Sequence, residues 1–327
     1  MRKKIDVALI YRKNYTFFNK EHFDKTTYYF FINALSRNDN LNVKFYPVDN
    51  EFECGRLKGK TDIILLANNN TDATPELKGI KELGIPVISR TGDPHWAERY
   101  NQIEFHEKWG IDYYFNFMHQ DYFYDYYPKK CNYRTIIFGV EPDVYKNLEF
   151  NYQNRIKNKI VNSGALGKNR LKSRIANRIL NPKRSGWYFY KLRTLCNELE
   201  FTIHTRELER KNTETTYPEL LSLYRTAIAA TTFYPTIKYW ETCAAGCLTF
   251  MEITEKNRGS YLGYTDGENS IFINEKNYKK KFEDYLSDPD NKKWEMIAES
   301  GKEFTNNNFT NDHAVRKLVE LMTELIK

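Results

Sequence analysis

Cysteine is scarce in this 327-residue chain. Its five residues, Cys54, Cys131, Cys196, Cys243 and Cys247, are odd in number and widely scattered. That argues against a disulfide framework. Cys243 and Cys247, close together but with no second ligand pair, make a poor zinc site. The cysteines read instead as small buried hydrophobes in a reducing compartment. His22, His106, His119 and His313 show no metal-ligand pairing, so no metal is expected. Long apolar runs are also missing, and no segment approaches the length that spans a bilayer. Met1-Arg-Lys-Lys leads straight into a strand-like run rather than into the apolar core of a leader. The expectation is a cytoplasmic protein with no membrane span. No repeat of solenoid length and no low-complexity tract interrupts the chain.

What is present fits large globular cores. Hydrophobic residues make up 41% and aromatics 16%, which excludes a disordered chain, and the length allows two α/β domains. The net charge of +7 is spread along the sequence. It is compatible with phosphate-bearing ligands or nucleic acid and diagnostic of neither.

Strand-like and helix-like segments alternate throughout. In the first half, strands are predicted at 4–11, 43–48, 61–67, 85–89, 111–117 and 134–138. Helices are predicted at 22–35 (an apolar stripe of Phe23, Thr27, Phe30, Phe31 and Leu35), 75–83 and 97–109. In the second half, strands fall at 159–163, 200–204, 227–232, 248–253 and 270–273. Such alternation implies parallel sheets with helices on both faces. The predicted organisation is an N-terminal Rossmann-like domain over 1–147, a polar linker over 148–158 and a second Rossmann-like domain over 159–310. A terminal helix over 311–327 is expected to pack back on the first domain.

Four places carry chemistry. In Pro235 to Ile253, Pro235 suits the first turn of a helix and Gly246 its end, with strands on either side. Glu241 is expected two turns into that helix, with Lys238 on nearly the same face. The amides of Thr236 and Ile237 would then meet a phosphate, and the carboxylate a ribose. The loop after the 159–163 strand combines Gly164 and Gly167 with Lys168, Arg170, Lys172 and Arg174. It has the makings of a diphosphate cradle, although it matches neither G-x4-G-K-[ST] nor G-x-G-x-x-G. Asp93-Pro-His95 follows a strand, where either side chain could act as base or sugar contact, or Asp93 could simply cap the next helix. His204, at another strand end, is either a further contact or a structural histidine. The clusters Tyr28 to Phe31 and Tyr122 to Tyr127 read as core and domain-face packing rather than base-stacking platforms.

These residues resemble the GT-B glycosyltransferases, in particular a spore-maturation-type branch with a group-one-like C-terminal domain. The carriers are Lys238-Tyr-Trp-Glu241, the following Ala244-Ala-Gly246-Cys-Leu-Thr-Phe250, Asp266 to Ile273, and the G-V-E segment at Gly139. Asp93-Pro-His95 is similar to a recurrent feature of the branch's N-terminal domains. The resemblance implies α/β architecture with two Rossmann-like domains whose parallel sheets face across a cleft. It implies a hexosyltransferase-type enzyme moving sugar from a nucleoside-diphosphate sugar to a hydroxyl of a glycan, a protein or modified DNA. Glu241 would hold the ribose and the amides of Thr236 and Ile237 the diphosphate. The cations after Gly164 would stabilise the leaving group, and His95 or Asp93 would be the base. No cofactor beyond the nucleotide-sugar co-substrate, and no metal, is implied. The alternatives are a sugar-nucleotide epimerase of the same fold and a non-catalytic nucleotide-binding relative. The pattern departs from group-one enzymes at Phe233, where those carry a glutamate, and at Arg12-Lys-Asn, where a glycine pair is common.

Overall fold

The computed structural model describes residues 4–22, 25–148, 150–180, 186–209 and 216–326. The chain divides into two compact units, one of Met1–Glu141 with Thr310–Lys327, the other of Pro142–Phe309.

The first unit is built on a six-stranded sheet of order β2-β1-β4-β6-β7-β8, every pair parallel. Its strands are β1 (Ile5–Arg12), β2 (Leu41–Val48), β4 (Ile63–Leu66), β6 (Val87–Arg90), β7 (Tyr113–Asn116) and β8 (Tyr133–Thr135). A separate parallel pair joins β3 (Glu51–Glu53) to β5 (Glu76–Lys78). Val7 to Ile10 and Ile63 to Leu66 are buried continuously, as strands covered on both faces must be. The helices are α1 (Thr26–Tyr28), continued by a π-helix over Tyr29–Ala34, then α2 (Glu104–Trp109) and α3 (Gln120–Tyr124). Of the expected apolar stripe over 22–35, Phe30, Phe31 and Leu35 lie in the core, while Phe23 lies outside the described residues.

One predicted helix is not formed and a second is shortened. Over 75–83 the chain makes β5 and a 3-10 turn, because Gly79 has φ +70° and interrupts the helical path. Over 97–109 only α2 is helical. Asn101 is left-handed with φ +50°, and the Gln102 N–H closes on the Ala97 carbonyl at 2.8 Å. The cap proposed for Asp93 is also not made: its side chain bonds no amide of the following 3-10 turn.

The chain leaves this unit after Glu141 and returns to it at Thr310, and the two crossings are stitched together. The Gly139 N–H donates to Asn311 Oδ1 at 2.8 Å, the Asn311 N–H to the Val140 carbonyl at 2.8 Å, and Asn311 Nδ2 to Glu141 Oε2 at 2.9 Å. Arg37 reaches Glu141 and Asp312, each at 2.6 Å. The terminal helix α13 (Asn311–Ile326) buries Val315, Leu318, Leu321 and Met322, and it packs on the π-helical segment.

The second unit opens with α4 (Pro142–Tyr145) and holds a five-stranded parallel sheet of order β10-β9-β11-β12-β13. Its strands are β9 (Ile156–Asn162), β10 (Thr202–His204), β11 (Tyr224–Ala229), β12 (Leu248–Glu252) and β13 (Ile271–Ile273). Its remaining helices are α5 (Leu171–Leu180), α6 (Gly186–Phe189), α7 (Lys191–Cys196), α8 (Thr205–Glu209), α9 (Tyr217–Ser222), α10 (Lys238–Ala244), α11 (Tyr278–Ser287) and α12 (Lys292–Asn308). Strand order reverses between β9 and β11. In an open parallel sheet the crevice at such a reversal is where ligands bind. The stretch 148–158 contributes buried Tyr152 and Arg155, and Arg155 donates to the Ala245 carbonyl at 2.9 Å, closing the C-terminal end of α10.

Candidate functional site

The reversal places two loops side by side, Ser163-Gly164 after β9 and Ala230 to Ile237 after β11. Both grow from strands whose ends are fully buried. The helix after β11 starts later than the sequence suggests. Pro235 and Thr236 precede it, Ile237 is its N-cap, and α10 runs only from Lys238 to Ala244. The i→i+3 bonds from Tyr239 N to Thr236 O at 3.0 Å and from Trp240 N to Ile237 O at 3.2 Å tighten the entry into a turn. Glu241 therefore sits in the first helical turn, not the second, and nearer the helix N-terminus than expected.

Glu241 is buried, and its Oε2 accepts from Lys238 Nζ at 2.9 Å. The same ammonium lies 3.7 Å from the centroid of the Tyr217 ring. The Tyr217 hydroxyl donates to Ser163 Oγ at 2.9 Å, which links the pair to the loop after β9. Burial pushes the Tyr217 phenol up, against the opposing pull of the Lys238 ammonium. Beside this cluster, the Thr236 hydroxyl is buried without a hydrogen-bond partner among the described residues, as is that of Thr232. The N–H groups of Thr236 and Ile237 likewise donate to no described group. Buried hydroxyls are nearly always satisfied, so a cluster of free donors at a strand end marks a place able to receive an oxyanion.

The remaining expected residues divide between supporting and exposed positions. His204 is buried, donates from Nε2 to the Gly164 carbonyl at 2.8 Å, and accepts the Arg206 N–H on Nδ1 at 3.2 Å. Those partners fit the neutral ring, and burial lowers its pKa. His204 thus braces Gly164. Gly164 itself has φ +98°, and a Cβ there would come within 2.5 Å of Arg193 Nη1. The close approach expected at Gly167 is made by the chain's own backbone: a Cβ would meet Trp187 Cα at 2.6 Å. Lys168, Arg170 and Lys172 are exposed, and no contact joins them to Lys238 or Glu241 among the described residues. Arg174 is half-buried against the Trp187 ring, 4.1 Å from its centroid. Phe233 packs on Phe189 with centroids 4.8 Å apart, and Lys256 lies 4.5 Å over its ring.

Sequence reasoning missed the residues that hold these loops. Tyr239 OH receives the Thr231 N–H at 3.0 Å and donates to the Glu252 carbonyl at 3.0 Å. Asn257 joins Thr231 and Glu252 through Nδ2 and takes the N–H groups of Thr254 and Gly259 on Oδ1, each at 3.0 Å. The β11 and β12 ends are thereby fixed against α10. Tyr217 was also missed, though its helix is announced by a capping box in which Thr216 and Glu219 bond reciprocally.

In the first unit, Asp93 and His95 follow β6 at the carboxyl edge of the sheet. Asp93 is exposed. His95 is buried, its Nδ1 is 3.1 Å from the Tyr122 hydroxyl, and its ring lies among Trp96, Tyr122 and Tyr126. Of the two aromatic clusters, Phe30, Phe31, Tyr122, Phe123 and Tyr127 are core residues, while Tyr28, Tyr29, Tyr124 and Tyr126 are half-buried. All five cysteines are buried and free. No group of three potential metal ligands occurs among the described residues, and no described helix is long and apolar enough to cross a membrane.

Residues 184–320 match a family described as glycosyl transferase-like. No curated protein matches the chain. Among solved structures, Anabaena Alr3699/HepE in complex with UDP aligns over 98% of this chain and 100% of its own, at 10% identity and a TM-score of 0.56. An alpha-glucosyltransferase in complex with UDP-glucose and DNA containing an abasic site gives the same coverage, identity and TM-score. The pneumococcal O-GlcNAc transferase GtfA in complex with UDP and GlcNAc shares 12% identity over 83% of this chain, with a TM-score of 0.46. This chain spans only 58% of GtfA, and 59% of the matched chain in a GtfA/B complex. At such identities the likeness is one of fold, and that fold is GT-B: mixed α/β with parallel sheets.

Proposed function

We propose that the chain is a glycosyltransferase that moves a sugar, of hexosyl type, from a nucleoside-diphosphate sugar to a hydroxyl acceptor. The observation that carries this reading is the buried Glu241, paired with Lys238, beside a Thr236 hydroxyl and Thr236 and Ile237 amides that have no partner among the described residues, at the strand-order reversal. The match of residues 184–320 to a glycosyl transferase-like family supports it. In this reading Glu241 accepts the ribose hydroxyls, while Thr236 and Ile237 receive a phosphate. Lys238 neutralises charge next to them. Lys168 and Arg170, exposed after Gly164, supply cations to the leaving diphosphate; electrostatic stabilisation of that group is the main catalytic contribution. Asp93, or His95 after a rearrangement of its aromatic surroundings, is the base for an inverting transfer. The reaction uses no metal and no further cofactor, and the protein acts in the cytoplasm. We extend the proposal to the spore-maturation-type branch, on Lys238-Tyr-Trp-Glu241 and Ala244-Ala-Gly246.

The acceptor is a hydroxyl of a glycan, a protein or modified DNA. The alpha-glucosyltransferase of the same fold was solved with DNA, and a net charge of +7 suits that polymer. A second reading, nucleotide binding without transfer, is favoured by Phe233, which stands in sequence where group-one enzymes carry a glutamate and packs on Phe189. The test is a thermal-shift screen against nucleoside diphosphates and their sugars, followed by turnover assays with EDTA present. Binding and turnover should both fall in Glu241→Ala. Equal binding and turnover by Glu241→Ala and the wild type would sink the proposal. Binding without turnover on any acceptor would select the second reading.

A further inference from the structure

Helix α5 is packed inside out. Its polar side faces the protein: Ser173, Arg174 and Asn177 are half-buried, and the Arg174 guanidinium lies on the Trp187 ring. Its apolar side faces solvent, with Leu171, Ile175, Ile179 and Leu180 exposed to 67%, 53%, 74% and 76%. None of the ten residues of the helix is buried. Positions 171, 175 and 179 recur every four residues and form one stripe, and Leu180 extends it at the C-terminal end. A domain helix normally turns such a stripe to the core, and a contiguous exposed one marks a surface that meets something apolar.

Charge says what that surface is. The sequence contains no aspartate or glutamate between Glu149 and Glu198. Lys168, Arg170, Lys172 and Arg178 are exposed in and just before the helix. At 100° per residue, Lys172 lies within the apolar arc and Arg178 at its edge, so both can lift their charges to a headgroup layer while their stems lie among apolar chains. A nucleic acid would satisfy the cations but not four exposed aliphatic side chains, and α5 carries no aromatic ring on which a base could stack. A second copy of the chain would bring two cationic helices together, with Glu198, bonded to Asn169 just before the helix, as the nearest acid given by these contacts. An anionic bilayer satisfies both halves of the pattern.

We propose that α5 is a membrane-surface helix. It lies flat on an anionic lipid bilayer, with Leu171, Ile175, Ile179 and Leu180 at the headgroup–acyl boundary and Lys172 and Arg178 on lipid phosphates. With ten residues it lies on the bilayer and does not span it. The inference does not depend on the chemistry at Glu241.

The experiment is sedimentation of the full chain with two vesicle preparations, phosphatidylcholine alone and phosphatidylcholine with about one-third phosphatidylglycerol. The wild type should co-sediment with the anionic vesicles only, and raised salt should release it. The Ile175→Asp/Ile179→Asp variant should lose at least about tenfold in partitioning. Its melting temperature should be unchanged, since both side chains are exposed. Arg178→Glu should weaken binding without touching the stripe. Equal binding to both preparations, or to neither, would overturn the proposal. So would a wild-type dimer that the isoleucine variant dissolves, or a duplex oligonucleotide whose binding that variant loses.

Discussion

The Lys238 ammonium stands 2.9 Å from Glu241 Oε2 and at the same time 3.7 Å from the Tyr217 ring centroid. The three residues come from two helices, α9 and α10, so the ammonium that pairs with the buried carboxylate is itself placed by a ring from a second helix. Lys238 remains a quarter exposed, with a side-chain accessibility of 26% against 6% for Glu241, which keeps the ion pair modest in strength. A double-mutant cycle of Lys238→Met and Glu241→Gln, followed by urea unfolding, should give a coupling of about 1 kcal/mol. Zero coupling would mean that the pair does not orient the carboxylate.

Tyr239→Phe should be more costly than its loss of a single atom suggests. The hydroxyl serves the Thr231 N–H, the Glu252 carbonyl and Asn257 Nδ2 together, and all of these are buried. Removing it strands a buried donor, at about 1–3 kcal/mol. Urea unfolding should show the midpoint falling with an unchanged slope. A midpoint within error of the wild type would show that the network does not fix the strand ends.

Much of this arrangement was legible before the structure, because its signals are local. Continuous apolar runs such as Ile63 to Ala67 mark central strands, and Gly246 marks the end of α10. Glu241 and Lys238 are three residues apart, so their pairing follows from helical geometry. What was not legible depends on contacts distant in sequence. Tyr217 meets Ser163 across 54 positions, and Asn257 meets Thr231 across 26. The helix expected at 75–83 is lost at left-handed Gly79, and the one at 97–109 keeps only its half after left-handed Asn101, single backbone choices that apolar periodicity does not record. The late start of α10 has the same origin: Pro235 is compatible with a first turn but does not require one.

Gly246 gives a third prediction. Its φ is +79°, and a Cβ would lie 2.7 and 2.9 Å from two atoms of the Phe150 ring. Gly246→Ala should therefore destabilise the second unit by about 1–3 kcal/mol. Phe150→Leu in the same chain should recover only the steric part, since the backbone strain persists. Full recovery, read as the thermal midpoint of the double variant against Phe150→Leu alone, would assign the whole cost to the ring.

Glu252 gives the last prediction, a pH dependence. It ends β12 buried, with Oε2 unpartnered among the described residues. Burial first, then the neighbouring Glu275 carboxylate, pushes its pKa up from 4.5 to about 7, against the opposing charges of Arg193, Lys256 and Lys191. A carboxyl whose folded pKa is raised holds its proton in the native state after the unfolded chain has released it. Below pH 4.5 both states are protonated, and the residue's contribution is fully present. As pH climbs toward 7 the unfolded chain ionises first, so stability falls, and above that value the loss is complete. The effect is on the order of 3 kcal/mol. Glu252→Gln keeps the shape and removes the titration, so it should gain on the wild type as pH rises through this window. Urea unfolding of both proteins at about pH 5 and about pH 8 reads the difference directly. Parallel stabilities at the two values would mean that Glu252 is ionised in the folded protein, held by Arg193 more strongly than its burial opposes.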